Sequence, residues 1–226
     1  MNFESNYFFS LDSYTHKALF DSIDYVWKAL LNIDTYFKNY SLGNIEVPIP
    51  DGAYLVNKDL ISIGQGTIVE PGSYIKGPCI IGKNCSIRHG AYIRGSLIAG
   101  DDCVIGHDTE VKHSILLNHA VAGHFAYIGD SILGNHVNLG AGTICANLRL
   151  DREQIIVHYE GKKFKTNLKK MGVIIGDHSQ TGCNAVTNPG TLMGKSVMCY
   201  PCTNFGGFIP TRMFVKPSTT ILTTPF

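Results

Sequence analysis

From Ile63 onward an aliphatic or small residue returns at every sixth position. Ile63, Val69, Ile75, Ile81, Ile87, Ile93, Ala99, Ile105, Val111 and Leu117 share one phase, and Gly123 keeps it without a side chain. The count resumes at Leu133, Leu139 and Cys145, and again at Ile175, Thr181, Thr187, Met193 and Cys199. A helix needs apolar recurrence near 3.6 residues and a simple strand near 2, so neither explains a hexad with glycines inside it. Repeats of six are the signature of a parallel β-helix, in which each hexad is one short strand and its corner. Three hexads close a triangular coil, so residues about 18 apart stack on one face.

The 226-residue chain is long enough to bury a sizeable core. Its formal net charge of +1 gives no reason to expect binding to nucleic acid or to a membrane surface. No apolar run reaches the ~20 residues that a membrane-spanning helix needs, and the start, with Glu4 and Asp12, lacks the basic region of a signal peptide. Of seven cysteines, Cys79, Cys85 and Cys103 occupy the small-residue slot of the hexad, where they pack as small hydrophobes. The chain therefore reads as a reduced, cytoplasmic protein. Cys199 and Cys202 form one Cys-x-x-Cys pair, with no second pair to complete a zinc site.

Residues 1–45 are rich in Phe and Tyr, and Leu19, Ile23, Val26, Trp27, Leu30 and Leu31 recur at helical spacing. One or two helices are expected, with Ser13 and Asp21 as N-caps and Gly43-Asn44 as the stop. Solenoids need their ends covered, so the expected role is an N-terminal α-helical cap, with substrate binding as the alternative. The Pro-rich stretch Val47–Asp51 marks the joint, and residues 46–207 read as the β-helix. Residues 148–171 break the count with two strand-like runs around Glu160-Gly161, which predicts a protruding hairpin. Its lysines and arginines are either a solvated surface or an arm reaching toward a phosphorylated ligand. Residues 208–226 read as a tail without period.

The hexads carry no chemistry themselves. The phase slips between Gly123 and Leu133, and a rule broken in a regular solenoid marks the place to look for function. His124 lies there, a candidate general base or a corner histidine held by hydrogen bonds. Arg94 and Lys112 fall one coil apart and project from one face. Two adjacent cations call for an anion, either a bound phosphate or Glu110 or Asp108.

Ala122-Gly123-His124-Phe125-Ala126-Tyr127-Ile128-Gly129-Asp130, followed by Asn138-Leu139-Gly140-Ala141-Gly142-Thr143 and Asn147, resembles the acetyltransferase domain of bifunctional N-acetylglucosamine-1-phosphate uridylyltransferases. Arg94, Lys112 and Lys163-Phe164-Lys165-Thr166 fit the same pattern, and the resemblance covers roughly residues 60–205. It implies an all-β solenoid in the form of a left-handed parallel β-helix, homotrimeric, with active sites between subunits. It also implies acetyl transfer from acetyl-CoA to the amine of glucosamine 1-phosphate, within UDP-N-acetylglucosamine and cell-envelope precursor synthesis, with no metal required. By position, His124 becomes the general base, and Arg94, Lys112 and Lys163 hold the sugar phosphate. Tyr127 and Asn138 orient the sugar, and Asn147 lies near the amine. Ala141, Cys183, Cys199 and Tyr200 face the cofactor, although the bacterial family tends to have Ser and Ala at the last three. The family's nucleotidylyltransferase domain has no counterpart in residues 1–45, so uridylyl transfer is not expected. The segment Leu148–Asp151 looks more like a second branch of fused nucleotidylyltransferase/acetyltransferases that also use galactosamine 1-phosphate.

Three rival readings follow. A γ-class carbonic anhydrase would use His119 and His124 on zinc, but His89 is out of position for the third ligand and Phe125 stands where Gly should. A non-catalytic assembly arm would dock a separate nucleotidylyltransferase through the N-terminal helices. A xenobiotic- or serine-type acetyltransferase would take an acceptor without phosphate, against which the stacked Arg94 and Lys112 argue.

Overall fold

The computed structural model describes residues 3–217. Its centre is a triangular prism of three parallel eight-stranded sheets. Sheet I begins at Tyr54–Val56 and ends at Asn204–Phe205; sheet II begins at Ile61–Ile63 and ends at Phe208–Ile209; sheet III begins at Ile68–Val69 and ends at Phe214–Val215. The chain visits them in that order, one strand each, and so builds the left-handed parallel β-helix of hexapeptide repeats. Each strand turns one residue of the hexad phase inward, and Ile63, Ile81, Ile87, Ile93 and Ile105 are buried to 1% exposure or less. Burying each such side chain is worth about 1.5–3 kcal/mol, which a two-residue strand needs to stay in place. The corners pass through left-handed backbone at Asn84, Asp102 and Asn184, residue types that tolerate it because their short polar side chains bond locally.

The inward phase departs from the simple count at two corners. Val111 is followed inward by Leu116, not Leu117, and then by Ala122, not Gly123. The corner at Lys112-His113 is one residue shorter than the corner Arg94-Gly95-Ser96 beneath it, since Ser114 pairs with Leu97. A second short corner follows at Asp130, where Ile128 gives way to Leu133. One slip thus precedes Gly123, at Lys112-His113, and the other lies where the count predicts it, between Gly123 and Leu133. The coil also continues beyond Gly207. Only Gly206-Gly207 separates Asn204–Phe205 from Phe208–Ile209, and this tight corner hides the last coil, which ends with Phe214–Val215 beside Met198–Cys199. The rest of the expected tail, 218–226, lies outside the described residues.

The N-terminal segment does not cover the end of the prism; it covers a side. Ile80, Ile98, Ile115, Ile132, Ile174 and Leu192 stack in register along the outside of sheet II and share one apolar cluster with Phe8, Leu19, Trp27, Leu30 and Ile33. In the other two sheets the outward residue is mostly polar or exposed, so only sheet II demands a cover. The end of the coil is closed instead by Ile45, Val47, Ile49 and Ala53 of the Pro-rich stretch. The layer consists of a short helix Ser5–Phe8, 3-10 turns at Lys17–Phe20 and Val26–Lys28, and an α-helix Ala29–Asn39. Ser13 and Asp21 are N-caps of none of them: Asp21 instead closes the C-terminal end of Lys17–Phe20, and the Ser13 carbonyl accepts a bond from Asn118 at a coil corner. Ser10 and Asn135 join the same seam through Asp177.

His16 reports on this seam. It is 3% exposed, its Nδ1 lies 2.8 Å from the Tyr36 hydroxyl, and Tyr14 and Tyr40 pack on its ring. Burial lowers its pKa to about 4, against a small opposing pull from Asp101. The unfolded chain takes up a proton near pH 6.5 that the folded chain refuses. The contribution is therefore intact above about pH 6.5 and is lost as pH falls toward 4, by roughly 3 kcal/mol in all. His136, lowered by burial and by the facing His119 and His178, acts in the same direction. Denaturant titrations between pH 7 and pH 4 are expected to show this loss, and His16→Gln to flatten most of it.

The hairpin Ile156–Tyr159 and Lys162–Lys165 does not protrude freely. Alternation along each strand sends Ile155 and Val157 into the N-terminal cluster, and sets Tyr159 and Phe164 against Phe3. Lys162, Lys163 and Lys165 face outward.

Candidate active site

Sheet I ends at the corner where the chain passes to sheet II, and six polar residues of successive coils gather at that edge. Ile93 pairs with Val111, so Arg94 and Lys112 stack as the spacing requires. Neither cation is bare. Arg94 Nη1 lies 2.6 Å from Glu110 Oε1, and Lys112 Nζ lies 2.6 Å from Asp130 Oδ2. Asp130 is 6% exposed. Burial alone raises its pKa, but bonds from His113, Lys112 and Asn147 overcome that and hold it below the ordinary carboxylate range. Asn147 donates its Nδ2 to Asp130, and His113 Nδ1 lies 3.1 Å away. The short corner at Lys112-His113 brings this about, because dropping one residue sets His113 level with Asp130.

The hairpin is rooted in the same cluster. The chain leaves the coil at Asn147 and returns at Met171-Gly172, where Met171 N–H bonds the Asn147 carbonyl and Gly172 N–H the Asp130 carbonyl. Tyr127 stands outward on sheet I beside these groups. Burial and the charges of Glu110 and Asp130 raise its pKa, with Arg94 opposing. A Cβ at Gly129 would lie 2.6 Å from Asn147 Nδ2 and 2.7 Å from the Tyr127 hydroxyl, so a side chain there would displace both groups.

His124 lies across sheet I, at the corner entered from sheet III. Its side chain is exposed, next to the exposed Phe125, and among the described residues no side chain hydrogen-bonds its ring. The register continues one column upward from it. His124 O accepts Gly142 N–H at 3.0 Å, Ala141 O accepts Asn184 N–H at 2.8 Å, and Cys183 O accepts Cys202 N–H at 2.8 Å. Two residues expected to face the cofactor, Ala141 and Cys183, therefore stand in the column of His124. Tyr200 borders a shallow groove of about 340 Å³ with Met198, Pro201 and Phe214, and Lys216 lies over its ring. Cys199 differs from expectation. It occupies an inward position and is 6% exposed, so its thiol does not face a ligand on the surface.

Two further residues stand apart within one chain. Asn138 points outward from sheet III, on a different face from Tyr127. Lys163 sits on the hairpin, which packs against Phe208 near the far end of the coil through Tyr159, and among the described residues it makes no hydrogen bond or ion pair with Arg94 or Lys112. Glu110 pairs with Arg94 as one reading of the sequence allowed, whereas His113 and Asp130 belong to the cluster without having been assigned roles from the sequence. The register was the available signal, since a carboxylate one coil above a lysine is its natural partner.

His119 and His124 do not converge. His119 stacks on His136 at 4.4 Å, and His136 on His178 at 5.0 Å, along the corner between sheets II and III, one corner removed from His124. Among the described residues no group of three or more His, Cys, Asp or Glu is placed to hold a metal, and no helix is long and apolar enough to cross a membrane.

Fold and site define a hexapeptide-repeat β-helix with a cation–carboxylate corner beside an exposed histidine. Residues 75–160 match the family described as the GMPPB C-terminal domain. The chain is 38% identical over 91 residues to a bifunctional sugar-1-phosphate nucleotidylyltransferase/acetyltransferase of Sulfurisphaera tokodaii, covering 40% of this chain and 23% of that protein. It is 31% identical over 180 residues to the bifunctional protein GlmU of Methanococcus maripaludis, covering 80% of this chain and 43% of that protein. Among solved structures, the polysialic acid O-acetyltransferase OatWY covers 70% of this chain and 77% of its own length, with 16% identity and a TM-score of 0.24. The chain spans less than half the length of these bifunctional relatives. In sequence, its repeat domain is related to the bifunctional sugar-1-phosphate nucleotidylyltransferase/acetyltransferases and GlmU proteins.

Proposed function

We propose that this chain is an acetyl-CoA-dependent N-acetyltransferase whose acceptor is an amino-sugar 1-phosphate, glucosamine 1-phosphate first. The observation that carries this is the placement of two stacked cations, Arg94 and Lys112, at one edge of sheet I with exposed His124 at the other. At about 3.3 Å per residue, the strand Tyr127–Gly129 separates the two corners by roughly 10 Å, the scale of an amino-sugar phosphate from its phosphate to its amine.

The acceptor phosphate takes the place of Glu110 on Arg94, whose guanidinium binds phosphate through two parallel donors, while Lys112 is held in position by Asp130. The sugar lies along Tyr127. His124 takes a proton from the acceptor ammonium or from its nitrogen as that nitrogen attacks the thioester carbonyl. The C–S bond then breaks, the acetyl group passes to nitrogen, and the CoA thiolate leaves and is protonated. Only the unprotonated amine has the lone pair for this attack, which is why a base is needed. The donor lies along the column of Ala141 and Cys183, with Tyr200 bordering its groove. Because Asn138 and Lys163 stand away from this cluster in one chain, the complete site is shared between copies, and we place them in a homotrimer with sheet III of one subunit against sheet I of the next.

Arg94→Ala tests the phosphate assignment. It is expected to raise KM for glucosamine 1-phosphate at least tenfold, the scale of a charge-assisted bond of about 1.5–3 kcal/mol, with little change in KM for acetyl-CoA. Equal effects on both substrates remove Arg94 from the phosphate site.

A further inference from the structure

We propose that Cys183 and Cys202 form a dithiol site that accepts oxidation from small-molecule disulfides and closes to a disulfide between adjacent coils. The proposal stands on the coil geometry and does not need the transferase reading.

All seven cysteines are free thiols, and only these two are exposed. They lie far apart in sequence but together in the fold. Thr181 pairs with Cys199 in sheet III, so the corners that follow stack, and Cys202 N–H bonds the Cys183 carbonyl at 2.8 Å. Neighbouring strands lie about 4.8 Å apart, and an offset of one residue along the chain brings the two Cα atoms to roughly 5–6 Å. Disulfides span Cα separations of about 4.4–6.8 Å.

Side-chain direction favours closure. Cys202 has φ +54°, the left-handed corner position also taken by Asn84 and Asn184. At both asparagines the side chain folds back over the preceding coil, onto Gly66 and Gly142 respectively. The same backbone turns the Cys202 side chain back over the preceding coil, onto the Cys183-Asn184 corner. The other five thiols are shielded. Cys79 and Cys145 are buried and their pKa values pushed up to about 12, and burial also raises Cys199. Cys85 and Cys103 lie inside the coil with their thiols on backbone carbonyls.

The step balances as ordinary exchange. The Cys183 thiolate attacks one sulfur of a disulfide RSSR, which breaks the S–S bond, releases RS⁻ to be protonated, and leaves Cys183 joined to the other RS. The Cys202 thiolate then attacks the Cys183 sulfur and expels the second RS⁻. Two protein thiols are oxidised, and one RSSR is reduced to two RSH. Cys183 shares its column with Ala141 and His124, so closure falls beside the path proposed for the acyl donor.

The native protein treated with oxidised glutathione tests this by intact mass and peptide mapping. The expected product has lost two hydrogens and yields a Cys183–Cys202 cross-linked peptide that disappears on reduction. Cys183→Ser and Cys202→Ser should each instead retain one glutathione, on the remaining exposed cysteine. Stable glutathione on both cysteines of the native protein, or a cross-link that involves Cys199, overturns the proposal. The readout is mass, so it separates from the transferase reading: a protein without acetyl transfer that still closes this bond retains the site.

Discussion

Replacing His124 with Asn is expected to lower kcat for acetyl transfer by about 10²–10⁴, the usual worth of a positioned general base, while the fold stays intact. The separation of these effects follows from where His124 sits. Its backbone carbonyl holds the next coil through Gly142, and Asn keeps that bond. Its side chain is exposed and bonded to nothing described in its own chain, so its loss leaves no cavity and no orphaned partner. Stability should change by no more than about 0.5 kcal/mol, as for other surface substitutions. KM for both substrates should stay nearly constant, because the proton moves only as the bond forms. A variant with the parental kcat would remove His124 from the chemistry, and thermal unfolding measured alongside guards against a folding artefact.

Lys112→Met is expected to act on binding and stability together, and a second substitution separates them. Asp130 is 6% exposed, and Lys112 is its cationic partner at 2.6 Å. Removing one member of a buried pair costs about 3–5 kcal/mol, because the remaining charge is stranded. The cost here belongs at the lower end, since Asn147 and His113 still face Asp130 and the lysine side chain is 17% exposed. The same variant loses a phosphate donor, and KM for the sugar phosphate should rise about 10–100-fold on the scale of a charge-assisted bond. Adding Asp130→Asn removes the stranded charge and should restore much of the stability without restoring KM. If KM recovers with stability, Lys112 serves only the fold.

Much of this architecture was legible because the hexad is a strict code for which residue turns inward. The stacking of Arg94 on Lys112 needed no more than Ile93 on Val111. The count failed where its alphabet became ambiguous. In Ile115-Leu116-Leu117 three apolar residues follow one another, and a corner one residue shorter exchanges Leu116 for Leu117 without any change in composition. Ala122-Gly123 hides the consequence one strand later. The same short corners create the site by drawing His113 and Asp130 to Lys112.

The role of the N-terminal layer was written in the sequence too, in a second column. Ile80 and Ile98 precede the inward residue by one place and point away from the coil, the start of an apolar outside that runs unbroken to Phe208 on sheet II alone. Read with the first column, it calls for a cover along the side. The hairpin shows the same lesson at short range. Its lysines suggested an arm in solvent, but Phe164 between Lys163 and Lys165 marks the opposite face, and that face binds Phe3. Lys163 and Asn138 stayed illegible for a different reason. Their expected neighbours lie on other faces of the prism, and pairing faces between copies is not encoded in the spacing of one chain.

On the proposed function, the cation corner selects a phosphorylated amino sugar for acetylation. The most direct measurement is thiol release from acetyl-CoA with glucosamine 1-phosphate, galactosamine 1-phosphate and unphosphorylated glucosamine as acceptors. Thiol release is expected with an amino-sugar 1-phosphate, with a kcat/KM at least tenfold lower for unphosphorylated glucosamine. Equal turnover of glucosamine with and without its phosphate, or no thiol release with either phosphorylated acceptor, would contradict it.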